Sequence, residues 1–227
     1  MNARPPRRIA LALSSGALPT GAAALLRQLG GTPGDELHVL FIEDSELLKA
    51  VALPFTVEFC AVTSVRRPID AAALEGWFRR EAATAQRELS RLAETCGLKW
   101  RFEVVRETPR AALGRVLAQL DEALLLPPPA GDGKPASAPI VALVDASPAG
   151  ERALEIARVA AAAEQAPLEP HHLDPTDDPA ALVTRMHGLL ARDDARLTVV
   201  AAPLLGALGE HAADVCAARH APLLILR

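Results

Sequence analysis

Two short, wholly apolar runs constrain this chain more than any other feature. Ile9-Ala10-Leu11-Ala12-Leu13 is closed by Ser14-Ser15-Gly16, and Ile140-Val141-Ala142-Leu143-Val144 by Asp145-Ala146-Ser147. Short continuous apolar runs that end in turn residues are the pattern of strands buried on both faces. An Ala-rich helical stretch follows each, at residues 20–29 and 149–164, and then a second strand at 37–42 and 168–172. Further on, Pro109-Arg-Ala-Ala-Leu113 and Pro179-Ala-Ala-Leu182 open helices, where Pro fits the first turn. These lead to strands at 123–126 and 197–201. The alternation predicts an α/β fold with parallel sheets and right-handed crossovers.

The segment PPPAGDGKPASA at 127–138 reads as a linker or long loop between a half at 1–126 and a half at 139–227. The two halves differ. The first carries a long helix from about Ile69 to Cys96, with Leu74, Phe78, Ala82, Ala85, Leu89, Leu92 and Cys96 forming one buried stripe. Asp70 is its expected N-cap and Gly97 its stop, and a third strand follows at 100–105. The second half has only a short loop there, Asp174 to Asp178, but ends in an additional helix, 204–219, and strand, 222–226. The expectation is two Rossmann-like halves in tandem, each incomplete.

Composition narrows the function classes. Of 227 residues, 50% are hydrophobic and 23% charged, which excludes a wholly disordered chain. Aromatics are 3% and Tyr is absent, so the core must be built from Ala, Leu and Val, and base-stacking platforms are not expected. All but three of the 24 Lys and Arg residues are Arg, yet net charge is −4, which argues against a nucleic-acid partner. Cys60, Cys96 and Cys216 lack CxxC spacing, so structural zinc is not expected, and reduced thiols in the cytoplasm are. No apolar run approaches the roughly 20 residues of a membrane helix, so no membrane partner is expected. Arg7-Arg8 before Ile9–Leu13 resembles a twin-arginine export signal, but Ser14-Ser15-Gly16 cuts the run short, and a buried strand after a basic tail is the preferred reading.

The stretch from Ile140 to Ser147, followed by Pro148-Ala149-Gly150-Glu151-Arg152-Ala153-Leu154, resembles the opening of the universal stress protein family, V-D-G-S-P-x-S-x-x-A-L. Leu208-Gly209-Glu210 through Ala221-Pro222-Leu223-Leu224-Ile225-Leu226-Arg227 is similar to its L-G-S…C-P-V-L-V-V-R ending, and residues 8–126 match more loosely. The resemblance implies two degenerate family repeats, a Rossmann-like sheet and, in many members, ATP or AMP binding.

In an open parallel sheet a ligand sits beyond the strand C-termini at the switch point. That marks Asp145, Ala146 and Ser147 as the candidate crevice of the second half. The resemblance implies nucleotide contact at Asp145 and a phosphate loop, G-x2-G-x9-G-[ST]. Gly206 and Gly209 spell G-x2-G, but Arg219-His220 stand where the loop should end, and the stretch from Ala202 to Leu208 is too short for it. Counting back from the C-terminus instead sets Glu210 on the Ser/Thr position, which brings a carboxylate toward phosphate. In the first half Ser14 replaces Asp, leaving Ser14, Ser15 and Gly16 as an anion-binding turn or an ordinary one.

Other constellations are weaker. His171 and His172 beside Asp174, Asp177 and Asp178 suggest a metal, but adjacent strand residues point to opposite faces. Cys216 and His220 are spaced for a thiolate–imidazolium pair, although a packed Cys fits the position as well. No G-x-S-x-G elbow is present, and no catalytic set is expected. The segment 43–60 is too apolar for a solvated loop, with Leu47, Leu48, Val51, Leu53, Phe55, Val57 and Phe59, and reads as a lid, a partner surface or packing against the long helix. Arg66 and Arg67 nearby are candidates to face an anion. The expected function is a non-enzymatic stress-response module that works through protein contacts and needs no cofactor. The alternative is an ATP or AMP sensor using the Asp145 crevice. The 222–226 strand is expected to pair with the first half or with a second chain as a homodimer.

Overall fold

In the computed structural model the described residues are 8–14, 35–54, 56–60, 65–68, 70–119, 122–125 and 137–227. The expected helix at 20–29 and nearly all of the 127–138 linker lie outside them. The fold is α/β. Ten strands and seven α-helices are described: β1 (Arg8–Leu13), β2 (Glu36–Asp44), α1 (Ser45–Val51), β3 (Val57–Cys60), β4 (Val65–Pro68), α2 (Ala71–Cys96), β5 (Lys99–Glu107), α3 (Pro109–Gln119), β6 (Glu122–Leu125), β7 (Ile140–Val144), α4 (Pro148–Glu164), β8 (Leu168–His172), α5 (Pro179–Leu190), β9 (Leu197–Ala201), α6 (Ala202–Ala207), α7 (Ala212–Ala217) and β10 (Leu223–Leu226).

Eight strands form one sheet in the order β5-β2-β1-β6-β10-β9-β7-β8, and β3 and β4 form a separate antiparallel hairpin. Within β5-β2-β1-β6 every pairing is parallel, and so is every pairing within β10-β9-β7-β8. The one antiparallel step joins them: Leu223, Leu224, Ile225 and Leu226 of β10 stand opposite Leu125, Leu124, Ala123 and Glu122 of β6. β10 is therefore paired on both sides within the chain, and a homodimer through 222–226 has no edge to use.

The two apolar runs become β1 and β7, interior strands whose residues Ile9–Leu13 and Ile140–Val144 are almost fully buried. Parallel strands covered on both faces need no polar side, which is why these runs do not alternate. On one face, α3 packs on β1, β2 and β5, α7 packs against α3 and α5, and Arg110 bridges to Asp214 at 2.9 Å. Helix α4 covers β7, β8, β9 and β10.

The long helix forms where its period places it. The Asp70 carboxylate accepts from the Ala73 N–H, and Gly97 ends the helix in the left-handed region at φ 65°. Leu74, Phe78, Ala82, Ala85, Leu89 and Leu92 are buried, with Ala93 completing the stripe. Cys96 is only half-buried, because it stands in the last turn beside the chain reversal. The 43–60 segment, expected to be too apolar for a solvated loop, forms α1, capped by Asp44, which packs on α2 and leads into β3 of the hairpin; Phe55 lies outside the described residues. One other element differs from expectation. The expected helix at 204–219 is two short helices and a 3₁₀ turn, Gly209–His211, because Gly209 takes φ 55° and breaks the run.

Three polar residues of the described strands are buried: His38 and Glu43 on β2 and Thr198 on β9. His38 on β2 is buried, its Nε2 3.2 Å from Glu103 Oε2 and its Nδ1 3.1 Å from an Arg101 nitrogen. Arg can only donate, so Nδ1 accepts and the Nε2–H donates to Glu103. Burial, then the Arg101 charge, hold its pKa below the ordinary value, outweighing the opposing pull of Glu103. A depressed histidine pKa gives stability that is complete above the unfolded value of about 6.5 and is lost as pH falls through the folded value. Wild type should therefore lose more thermal stability between neutral pH and pH 5 than His38→Gln, which cannot protonate; parallel Tm–pH curves would refute this. At the sheet junction, Leu224→Ala, at a fully buried site, should cost about 2–5 kcal/mol in denaturant unfolding.

Candidate functional site

The strand order defines two switch points. From β7 the chain crosses to β8 on one side and returns to β9 on the other, so the second half has a crevice beyond the C-termini of β7 and β9. From β1 it crosses to β2 and later returns to β6, giving a corresponding point in the first half. Because β6 and β10 are antiparallel, the two crevices open at opposite ends of the sheet.

At the second-half crevice, Asp145 leaves β7 and turns inward. It is 7% exposed, and its Oδ1 accepts from the Ser147 hydroxyl at 2.6 Å and from the Ser147 N–H at 3.3 Å. Ser147 is the N-cap of α4, and its Oγ accepts from the Gly150 N–H at 3.2 Å. Asp145 and Ser147 are thus brought together, with the exposed Ala146 between them. The carboxylate meets the positive end of the 17-residue α4 through this cap. A phosphate at the same helix end would face that carboxylate at short range.

Gly150 is what allows this arrangement. A Cβ there would run into the Asp145 backbone oxygen and lie 2.5 Å from its Oδ1. The glycine stood in the apolar opening of the helix, but nothing in the sequence distinguished it from the tolerated glycines of α5 and α6, where a Cβ would meet open space.

The remaining sequence candidates are not at this crevice as a loop. Pro203 sits in the first turn of α6, which starts directly behind β9, so Gly206 is a helical residue and the G-x2-G is not a phosphate loop. Gly209 makes the 3₁₀ turn, and Glu210 beside it is solvent-exposed, not in a dry cleft. Repulsion between Glu210 and phosphate is correspondingly weak there. Ser14 ends β1 half-buried, and Ser15 and Gly16 lie outside the described residues.

Each acidic residue of the 174–178 loop has a local role. Asp174 Oδ1 accepts from the Thr176 N–H and hydroxyl at 2.8 and 2.7 Å, which lowers its pKa. Asp177 pairs with Arg185 at 3.4 Å, and Asp178 caps α5. His171 has a buried Nε2 without a hydrogen-bond partner, and His172 is exposed. Among the described residues no group of three or more His, Cys, Asp or Glu is placed to hold a metal. The Cys216 thiol is buried, and burial pushes its pKa up to about 12 against a smaller opposing pull from Arg219. His220 instead contacts Asp193, so no thiolate–imidazolium pair forms. Arg66 lies over the Phe59 ring at 5.8 Å on the hairpin, and the Arg67 side chain lies outside the described residues. Among the described residues no helix is long and apolar enough to cross a membrane.

No family model matches the chain, and no curated protein matches it. Among solved structures, it is similar to a protein of unknown function from Pseudomonas aeruginosa PAO1, at 13% identity over 98% of this chain and 92% of that one, with a TM-score of 0.39. It is also similar to a protein provisionally named a universal stress protein from Pseudomonas aeruginosa UCBPP-PA14, at 13% identity, 98% and 93% coverage and a TM-score of 0.41. At such TM-scores neither likeness bears on the site, and the architecture rests on the strand order above.

The packing at Asp145 makes a clear expectation. Gly150→Ala should force the Asp145–Ser147 cap apart and cost on the order of 2–4 kcal/mol, as overpacking plus loss of a cap. Equal Tm values for Gly150→Ala and for Gly188→Ala, where a Cβ meets nothing, would refute it.

Proposed function

We propose that this chain is a universal stress protein-like regulatory module, non-enzymatic, that acts in the cytoplasm through protein contacts and whose nucleotide site is degenerate. The observation that carries this reading is the helix α6, which begins at Ala202 immediately after β9. It occupies the place where the resembled family folds a glycine loop of free N–H groups over phosphate. The capped Asp145 supports the same reading, since its Oδ1 is already engaged by Ser147. Support for protein contacts comes from the apolar surface of α1 and the hairpin, where Leu47, Leu53, Val57 and Phe59 are all at least 43% exposed.

A second reading, an ATP or AMP sensor, has one observation in its favour: Asp145 stands at the C-terminal end of β7, at the switch point where that contact is expected. A thermal-shift titration with ATP, ADP and AMP, with and without Mg²⁺, separates the two. A ligand at 100 times its Kd stabilises by about 2.7 kcal/mol. The degenerate-site reading expects no shift at millimolar nucleotide. A shift that disappears in Asp145→Asn would establish the sensor instead.

A further inference from the structure

The sheet has two edges, and they are not alike. β8, at one edge, is the five-residue run Leu-Glu-Pro-His-His, with Pro170 in its middle. Proline has no N–H to offer a further strand, and a short edge strand with proline is a usual defence against edge pairing. β5, at the other edge, runs nine residues from Lys99 to Glu107 without proline, and its only strand neighbour among the described residues is β2. Its outer row of backbone N–H and C=O groups is therefore a template for another strand.

The side chains of β5 alternate between two chemistries. Arg101 and Glu103 lie on one face, in contact with His38, with Glu103 also 3.7 Å from Arg115 of α3, and both are exposed at the edge. Trp100, Phe102 and Val104 lie on the other face. Phe102 sits 6.4 Å from Phe41 and 6.5 Å from Trp100, which carries an aromatic row from the core out to the edge. Val104 is 47% exposed.

This order of residues is complementary to itself. If two β5 strands meet antiparallel about a two-fold axis at Phe102, Arg101 of each faces Glu103 of the other. Trp100 of each then faces Val104 of the other, and the two Phe102 rings meet on the axis. Shifting by one residue along each strand, so that Arg101 or Glu103 sits on the axis, sets two like charges opposite each other, which is unfavourable. In the Phe102 register the three central pairings join opposite charges or apolar groups, only the outer Lys99–Val105 pair is mixed, and symmetry makes each off-axis pair occur twice.

We propose that β5 is the self-association edge of this protein, pairing with β5 of a second copy in the register centred on Phe102, so that two eight-stranded sheets become one. This goes beyond the functional reading above and does not depend on whether a nucleotide binds. The partner is a second copy and not an unrelated strand, because the charge and apolar pattern of β5 is satisfied by its own reverse.

The test uses the full chain in sedimentation equilibrium across a wide concentration range. A dimer is expected. Val104→Lys, at an exposed site, should weaken it by about tenfold or more, by setting a charge against Trp100 of the other copy. Arg101→Glu and Glu103→Arg should each weaken it by setting like charges opposite, while the double swap Arg101→Glu/Glu103→Arg should restore it. Far-UV circular dichroism and Tm of each variant separate loss of pairing from loss of fold. For any variant that does not fold, Phe102→Cys provides an independent readout, since oxidation should link the two copies at residue 102. A chain that remains monomeric throughout overturns the proposal. So does a dimer that Val104→Lys leaves intact, or one that the double swap fails to rescue.

Discussion

Four residues at the C-terminus hold the two halves in one sheet. Leu223 to Leu226 pair with β6 on one side and β9 on the other, and all four are buried. Among the described residues the first half has no strand of its own beside β6 on that side, and β10 of the second half takes the place. Unpaired backbone groups in an apolar layer are costly, so this strand of one half completes the other. The direction of that pairing is antiparallel, and much else follows from this one fact.

An antiparallel junction between two parallel halves turns their C-terminal ends in opposite directions. A single ligand cannot bridge the two switch points across one face of the sheet edge. Each has to serve by itself. In the second half the local geometry is self-contained: a strand end, an aspartate, a serine cap and a glycine that lets the aspartate close onto the helix. An arrangement of this kind gives the strand-to-helix turn its shape and commits Oδ1, one of the two carboxylate oxygens, to Ser147. Ser14 in the first half offers no carboxylate to do the same.

Much of the architecture was legible in the sequence, because the strands that carry it are apolar without interruption and the helices carry their own stops. β1, β7, β8, β9 and α2 stand within a residue or two of where their patterns placed them. The C-terminal helix was not legible. Gly209 reads as a tolerable helical glycine until its φ of 55° is known, and the helix begins two residues before its expected start, with Pro203 in its first turn. The segment 43–60 was legible as too apolar for a solvated loop, and α1 does pack on the long helix, but its elements were not legible. Its apolar residues follow neither helical nor strand period throughout, since a short helix and half of a hairpin share it. At the candidate site, position was legible and engagement was not. Residue type puts Asp145 at a strand end, but only coordinates show its oxygen committed to Ser147.

The same contrast applies at the sheet edges. In β5, Lys99 to Glu107 reads as one more strand, and the sequence gives no sign that it is outermost. Only the strand order does. Once β5 is known to be an edge, its alternation acquires a second meaning. Arg101 and Glu103 contact His38 from within, Glu103 also lies 3.7 Å from Arg115, and both side chains are still exposed at the edge. The aromatic row from Phe41 through Phe102 to Trp100 continues the core to the boundary without closing it off. Pro170 at the far edge shows how this fold ends a sheet when nothing is to be added. β5 has no proline along its nine residues, so every backbone N–H is present; its edge is guarded by charge alone, and a charge can be matched by an opposite charge on a partner strand where a missing N–H cannot be replaced.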